Sequence, residues 1–369
     1  MKKLVIPIVN RTNYSKLRPL IFSLSKQIDC QIVVSSAMVL RRYANAYQDI
    51  LADGFPIAKK IDCLLMNDSL ESMVKTLSLS LVEHASFLEG IDSAAALLSV
   101  GDRFDMLGPV LAARIMNIPV LHIQGGESSG SIDDIIRNII SACATQHYVA
   151  TSHSKDVVLG LTNHPENVFC YGCPCVEHIS LIKTGSYLDV SLIKKHFKYS
   201  IDIKPKEPYF LIMIHPVTNN QDDIDMKVIL DSCLSFNHKS LVFYPNPDSF
   251  NYSLIEDINA YKKNSNLIFI KHAPLEDFVR FMAHSSCIIG NSSAGIREAA
   301  SFGVPVVNIG ERQNGRERNL NTIDVDCDKN KIKDAINKSL SIGRHPVKNI
   351  YLKENCIENI TQEIVKFCK

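Results

Sequence analysis

Short apolar runs rich in β-branched residues alternate with helix-forming stretches along this chain, and the alternation occurs twice. LVIPIV, CQIVVSS, SAAALLSVG and PVLHIQ are each followed by a polar turn or a helical pattern, with helices expected from about Tyr14 and from about Phe104. QHYVATS and NVFCYGCP close this first set. A polar, weakly patterned stretch over 183–206 reads as a linker, after which YFLIMIHP, SLVFYPNP, NLIFIKH, CIIGNSS and PVVNIG restart the rhythm. Apolar runs that alternate with helices are the pattern of βαβ units around a parallel sheet, so the expected fold class is α/β with two Rossmann-like domains. The first is expected over 1–180 and the second over 181–351. The last helix, near 357–367, lies far in sequence from the second domain's first strand, and segment 352–369 is expected to pack back on the first domain.

Composition narrows the function. The 369 residues are 46% hydrophobic and 21% charged, enough for two ordinary globular domains. A formal charge of +1 gives no electrostatic footprint for nucleic acid or an anionic membrane, and a small-molecule enzyme fits better. The N-terminal apolar run ends at Asn10, Arg11 and Asn13, too short for a signal peptide or a membrane span, so a cytoplasmic protein is expected. Among the 11 cysteines only Cys170, Cys173 and Cys175 cluster, without the paired spacing or neighbouring histidines of a zinc site. Reduced, mostly buried thiols and no bound metal are expected.

In open parallel sheets ligands bind beyond the carboxyl ends of the strands, so the polar residues just after each run matter most. They are Asn10, Arg11 and Asn13; Asp102 and Arg103; Gln124 and Glu127; His215; Asn246 and Asp248; His272; Asn291 to Ser293; and Glu311 with Arg312. Two such rows facing each other would frame one cleft. In GNSSAGIREA, Ser292 and Ser293 stand at a helix N-cap, where free N–H groups favour a phosphate and Glu298 lies close enough to meet a ribose; read structurally, they cap a helix whose glutamate is solvated. ERQNGRERN then brings Arg312, Arg316 and Arg318 into one loop, either a solvated charge run or a clamp for a diphosphate. Gly125 and Gly126 allow a sharp turn that aims Glu127 away from its strand. In GSIDDIIRN, Asp133 and Arg137 share a helix face with Asp134 on a neighbouring one, the alternative being acidic residues drawn to a helix start. Asp102 closes its own strand, with Arg103 as a possible ion-pair partner. Carboxylates held together push at least one pKa up, which lets a general acid and a general base coexist at neutral pH. His215 and His272 follow equivalent strands and read as phosphate contacts, His122 inside a strand reads as structural, and Asn246 reads first as a turn former.

Taken together, NRTNYSKL, GDRFDMLGPVLAARIMNIPVLHIQGGE, GSIDDIIR, HPVT, YPN, KHAPLEDF, GNSSAGIREAASFGVPVVNIG and ERQNGRER resemble the hydrolysing UDP-N-acetylglucosamine 2-epimerases of sialic-acid and nonulosonate synthesis, over nearly the whole chain. The resemblance implies two facing Rossmann-like domains of GT-B type with the active site in the cleft between them. It implies that Asp102, Glu127 and Asp133 do the acid/base work, with Asp134, Arg137 and His215 beside them. UDP would be held by Arg11, Asn246, His272, Ser292, Ser293, Glu298 and Arg312. It implies a UDP-sugar substrate, no metal or redox cofactor, no nucleic-acid or membrane partner, and a homodimer or homotetramer. The implied reaction expels UDP from C1 while a base takes the C2 proton, and water then adds to the glycal to give free N-acetylmannosamine.

The sequence departs from the family pattern at four places. Gln124 stands where a histidine or glutamate is common, Asn13 where the first loop usually has aspartate, Ser36-Ala37 where a Ser-His pair is common, and 345–351 lacks the glycines of a Tyr-Gly-Asp-Gly stretch. These changes keep open a sister enzyme acting on a UDP- or GDP-diacetamido-bacillosamine, on the legionaminic-acid route. A non-hydrolysing epimerase, a glycosyltransferase of the same architecture and a nucleotide-sugar sensor fit the motifs less well.

Overall fold

The computed structural model describes residues 2–41, 45–67, 69–130, 132–189, 191–192, 204, 206–217, 224–245, 251–271 and 273–369. The chain divides into two compact units, each built on a parallel sheet. Unit 1 comprises Met1–Glu127, Ile132–His178 and Tyr351–Lys369, and unit 2 comprises Ser128–Ser131 and Ile179–Ile350.

Unit 1 carries strands β1 (Lys3–Ile8), β2 (Asp29–Ser35), β3 (Ile57–Ile61), β4 (Ala94–Val100), β5 (Val120–Ile123), β6 (Gln146–Val149) and β7 (Val168–Cys170). They pair in the order β3-β2-β1-β4-β5-β6-β7, all parallel. Both faces are covered, which is why the strand runs are apolar without alternation: Leu4, Ile6 and Ile8 enter one core while Val5 and Val9 enter the other. The helices are α1 (Arg11–Leu24), α2 (Gln48–Ala52), α3 (Leu70–Glu89), α4 (Phe104–Ile115), α5 (Ile132–Cys143), α6 (Ser152–Leu159) and α7 (Pro174–Ser180), the last ending across the unit boundary. On α1, Leu17, Leu20, Ile21 and Leu24 repeat at helical spacing and are buried. The C-terminal helix, Cys356–Cys368, sets Cys356, Ile360 and Ile364 into the same core as those α1 residues. Burial of each such aliphatic side chain stabilises the fold by about 1.5–3 kcal/mol, so this helix is an integral part of unit 1.

Unit 2 repeats the plan with β8 (Tyr209–Met213), β9 (Lys239–Phe243), β10 (Leu267–Ile270), β11 (Cys287–Gly290), β12 (Val306–Ile309) and β13 (Thr322–Val325), in the parallel order β10-β9-β8-β11-β12-β13. Phe210 and Ile212 face one core, Tyr209, Leu211 and Met213 the other. Its helices are α8 (Met226–Leu234), α9 (Asn251–Ala260), α10 (Leu275–His284), α11 (Ser293–Arg297) and α12 (Lys329–Ile342); the C-terminal helix of unit 1 is α13.

In both sheets the strand order reverses beside the unit's first strand, at β1/β4 and at β8/β11. At such a switch point the connections leave to opposite sides and open a crevice at the carboxyl ends of the strands. Asn10 to Asn13 and Gly101–Asp102 lie at the first of these points, and His215 with Asn291 to Ser293 at the second.

Candidate functional site

At the switch point of unit 1, Asn10 caps α1, its Oδ1 accepting the Asn13 N–H at 2.8 Å. Asn13 is buried and its Nδ2 points to the Val100 carbonyl at 3.5 Å, a long contact that joins the start of α1 to the end of β4. Arg11, the first residue of α1, places Nε 3.3 Å from Asp49 Oδ2, with both side chains partly exposed. A solvated pair of this kind contributes less than about 1 kcal/mol, so Arg11 can leave it for an anionic ligand at little cost. Lys16, one turn along the same helix and absent from the sequence-derived set, brings Nζ beside Gly101, 3.5 Å from where a Cβ would stand.

Arg137 is the centre of the acidic group. Its side chain is 1% exposed and donates to Asp102 Oδ2, to the Glu127 backbone carbonyl and, at 2.6 Å, to Asp134 Oδ1. Burial works against its charge, but Asp102, and then Glu127 and Asp134, outweigh that and raise its pKa above the usual guanidinium value. Asp134, three residues from Arg137, holds the guanidinium, although the helical spacing pointed first to Asp133; positions i and i+3 are also neighbours on a helix surface. Arg103 turns to the buried Asp105, Nε to Oδ1 3.0 Å, and Arg137 donates to the Asp102 carboxylate. Asp133 and Asp134 lie half-buried in the first turn of α5, and Glu127 is buried.

Glu127 depends on the glycine before it. Gly126 has φ +76°, and a Cβ there would stand 2.1 Å from the Ser154 carbonyl oxygen, so no other residue fits. His122, read from the sequence as structural, ties the acidic group's supports together. It is fully buried; Nε2–H donates to the Gly101 carbonyl at 2.9 Å, and bare Nδ1 accepts from Ser141 Oγ of α5 at 3.1 Å. The ring thus bridges the residue before Asp102 to the helix that carries Arg137.

Burial pushes the His122 pKa down to about 3 and that of His84, in the core of α3, down to about 4. Their folded values lie below the unfolded value of 6.5, so the unfolded chain binds more protons between those limits and stability falls as pH drops below 6.5. At pH 5 each histidine is expected to cost about 2 kcal/mol relative to pH 7.5. Urea unfolding at the two pH values measures this, and an unchanged midpoint would contradict the buried neutral rings.

At the switch point of unit 2, His215 donates its backbone N–H to Asn291 Oδ1 at 2.8 Å, and its Nε2 stands 3.3 Å from Ser292 Oγ. Ser292 is the N-cap of α11, with Oγ accepting from the Ala294 N–H at 3.4 Å, and Ser293 is the first helical residue. Because α11 has only five residues, Glu298 is its C-cap, with αR backbone, and leads directly into a 3-10 helix over Ala299–Phe302. Arg312 donates to the Asn291 backbone carbonyl at 3.0 Å. Arg318 is committed elsewhere: it grips Asp324 and donates to the carbonyls of Gln313 and Arg316, so it staples the loop. Arg316 is buried. The structure therefore groups His215, Ser292, Ser293 and Arg312, while Asn246, Asp248 and His272 lie outside the described residues. Among the described residues no group of three or more His, Cys, Asp or Glu side chains is arranged to hold a metal ion, and no helix is long and apolar enough to cross a membrane.

Comparison with known proteins places this geometry in a family. A family model described as UDP-N-acetylglucosamine 2-epimerase matches residues 23–365. A Legionella pneumophila protein named UDP-N,N'-diacetylbacillosamine 2-epimerase (hydrolyzing) is 32% identical over 95% of this chain and 92% of its own length. The Escherichia coli polysialic acid biosynthesis protein P7 is 28% identical over 100% of this chain and 95% of its own. Among solved structures, a UDP-GlcNAc 2-epimerase from Neisseria meningitidis bound to UDP-GlcNAc has the same fold, with TM-score 0.81 and 18% identity over 99% of this chain and 100% of that one. Two parallel-sheet units of GT-B type, polar groups gathered at both switch points and a family match across most of the sequence lead to one assignment: the chain belongs to the UDP-N-acetylglucosamine 2-epimerase family.

Proposed function

We propose that the chain is a hydrolysing 2-epimerase that converts UDP-N-acetylglucosamine to N-acetylmannosamine and UDP, for sialic-acid or related nonulosonate synthesis. The observation that carries this reading is Arg137, buried among Asp102, Glu127 and Asp134 beyond the carboxyl ends of the unit 1 strands. The C2 proton of the sugar is scarcely acidic, so its removal needs a positioned base together with departure of a good leaving group from C1. Asp102, Glu127 and Asp133 supply carboxylates for that proton and for the positive charge that develops on the ring, and Arg137 orients the group. The diphosphate departs with the C1–O electrons, and Arg11, His215, Ser292, Ser293 and Arg312 supply the donors that stabilise it. Water then adds across the C1–C2 double bond, its hydroxyl to C1 and a proton to C2 on the inverting face, giving the free sugar.

A second reading, epimerisation of a nucleotide-linked diacetylbacillosamine, is supported by the name of the Legionella relative at 32% identity and by Asn13 and Ala37 in this sequence. Incubation with UDP-N-acetylglucosamine in deuterated water, followed by NMR, is expected to yield released UDP and free N-acetylmannosamine carrying deuterium at C2. UDP-N-acetylmannosamine without free sugar would sink the hydrolytic claim. Turnover of the bacillosamine nucleotide alone would move the substrate to the second reading.

A further inference from the structure

We propose that Asn291 is a positioning residue that builds the nucleotide-binding corner of unit 2, an inference that rests on the function proposed above. Asn291 is fully buried and directly follows β11, at the switch point beside β8. Gly290 brings the chain there: its φ is +141°, and a Cβ would stand 2.1 Å from the Met213 carbonyl oxygen. The Asn291 N–H donates to that carbonyl at 3.1 Å, one step beyond the last strand pair. Past this point the backbone ladder stops and the asparagine side chain takes its place. Oδ1 accepts from the His215 N–H at 2.8 Å, and Nδ2 donates to the His215 carbonyl at 2.8 Å.

The primary amide thus acts as a detached peptide group pairing with both polar atoms of one residue. Aspartate lacks the donor, glutamine is one methylene too long, and serine has one polar atom for two jobs. The residue's backbone works in the opposite direction, its carbonyl accepting from Arg312 Nη1 and Gln313 Nε2, each at 3.0 Å. Ser292 follows directly, with Oγ 3.3 Å from His215 Nε2. One side chain and its peptide therefore fix the relative places of His215, Ser292 and Arg312, without presenting any atom to solvent.

The test is a double-mutant cycle on UDP affinity, measured by isothermal titration calorimetry on the full chain. N291A is expected to weaken UDP binding about tenfold in the unaltered background and by less than about twofold in an H215A background, because the amide acts through His215. Circular dichroism melts accompany each variant, and if N291A does not fold, N291S enters the same cycle. Equal losses in both backgrounds would mean that Asn291 supports the fold without positioning His215, and undiminished UDP affinity would remove the role altogether; either result overturns the proposal. Failure of the unaltered protein to bind UDP is a separate outcome that sinks the underlying function and this inference with it.

Discussion

Replacing Glu127 with glutamine is expected to abolish turnover while leaving UDP affinity nearly unchanged. Glutamine matches the shape of the side chain and keeps the backbone carbonyl that accepts from Arg137, and the guanidinium retains Asp102 and Asp134 as counter-charges. What disappears is a carboxylate able to carry a proton or to face a developing positive charge. Loss of one acid/base group typically costs about 10²–10⁴-fold in rate. A change confined to kcat, with UDP binding intact by calorimetry, identifies an interaction realised only in the transition state. A large loss of UDP affinity in E127Q would instead place Glu127 in nucleotide binding and contradict the roles proposed for the carboxylates and the diphosphate donors.

The repeated βαβ rhythm could be read from the sequence because it follows from burial. Strands such as β1 and β8 are covered on both faces and must be apolar throughout, which makes them visible as continuous runs. Two of the four edge strands, β3 and β13, escaped that reading. In β3 the exposed Lys59 and Lys60 interrupt the apolar pattern, and in β13 Asp324 does the same. An edge strand has a partner on one side only, and charged residues there block further pairing, so the feature that protects the edge also hides the strand.

The site was legible as a set of positions and much less as a set of contacts. Polar residues after strand ends follow from chain topology, and Asp102, Glu127, His215 and Ser292 all stand there. Which charge meets which is decided in three dimensions. Arg103 neighbours Asp102 in sequence yet turns to Asp105, while Arg137, 35 residues away, takes Asp102. His122 and Asn291 carried no local signal of their roles either. A histidine within an apolar strand is usually a satisfied core residue, and an asparagine after a glycine usually forms a turn. Their tasks appear only when the Gly101 and His215 backbones come within hydrogen-bond distance.

Arg137→Ala is expected to produce the largest loss of stability of any single substitution in unit 1. The guanidinium is the buried counter-charge for Asp102 and Asp134 and the donor to the Glu127 carbonyl. Removing one member of a buried ionic group while leaving the others typically costs about 3–5 kcal/mol, because the charges that remain are desolvated and unpaired. Carboxylates left close together without their cation acquire pKa values above those of the unfolded chain. The folded variant then binds more protons than the unfolded one, so its stability relative to the unaltered protein should recover as pH is lowered from 8 toward 5. His84 titrates in both proteins and cancels in that difference, while His122, whose pKa Arg137 helps to lower, adds to the recovery in the same direction. Arg137→Lys should rescue only part of the loss, since a single ammonium cannot reproduce the planar fork that reaches two carboxylates and a carbonyl at once. Urea unfolding of both variants at pH 5 and pH 8 measures the effect. A gap below about 1 kcal/mol, or one that does not change with pH, would mean that the carboxylates find other partners and that Arg137 is not the centre of the acidic group.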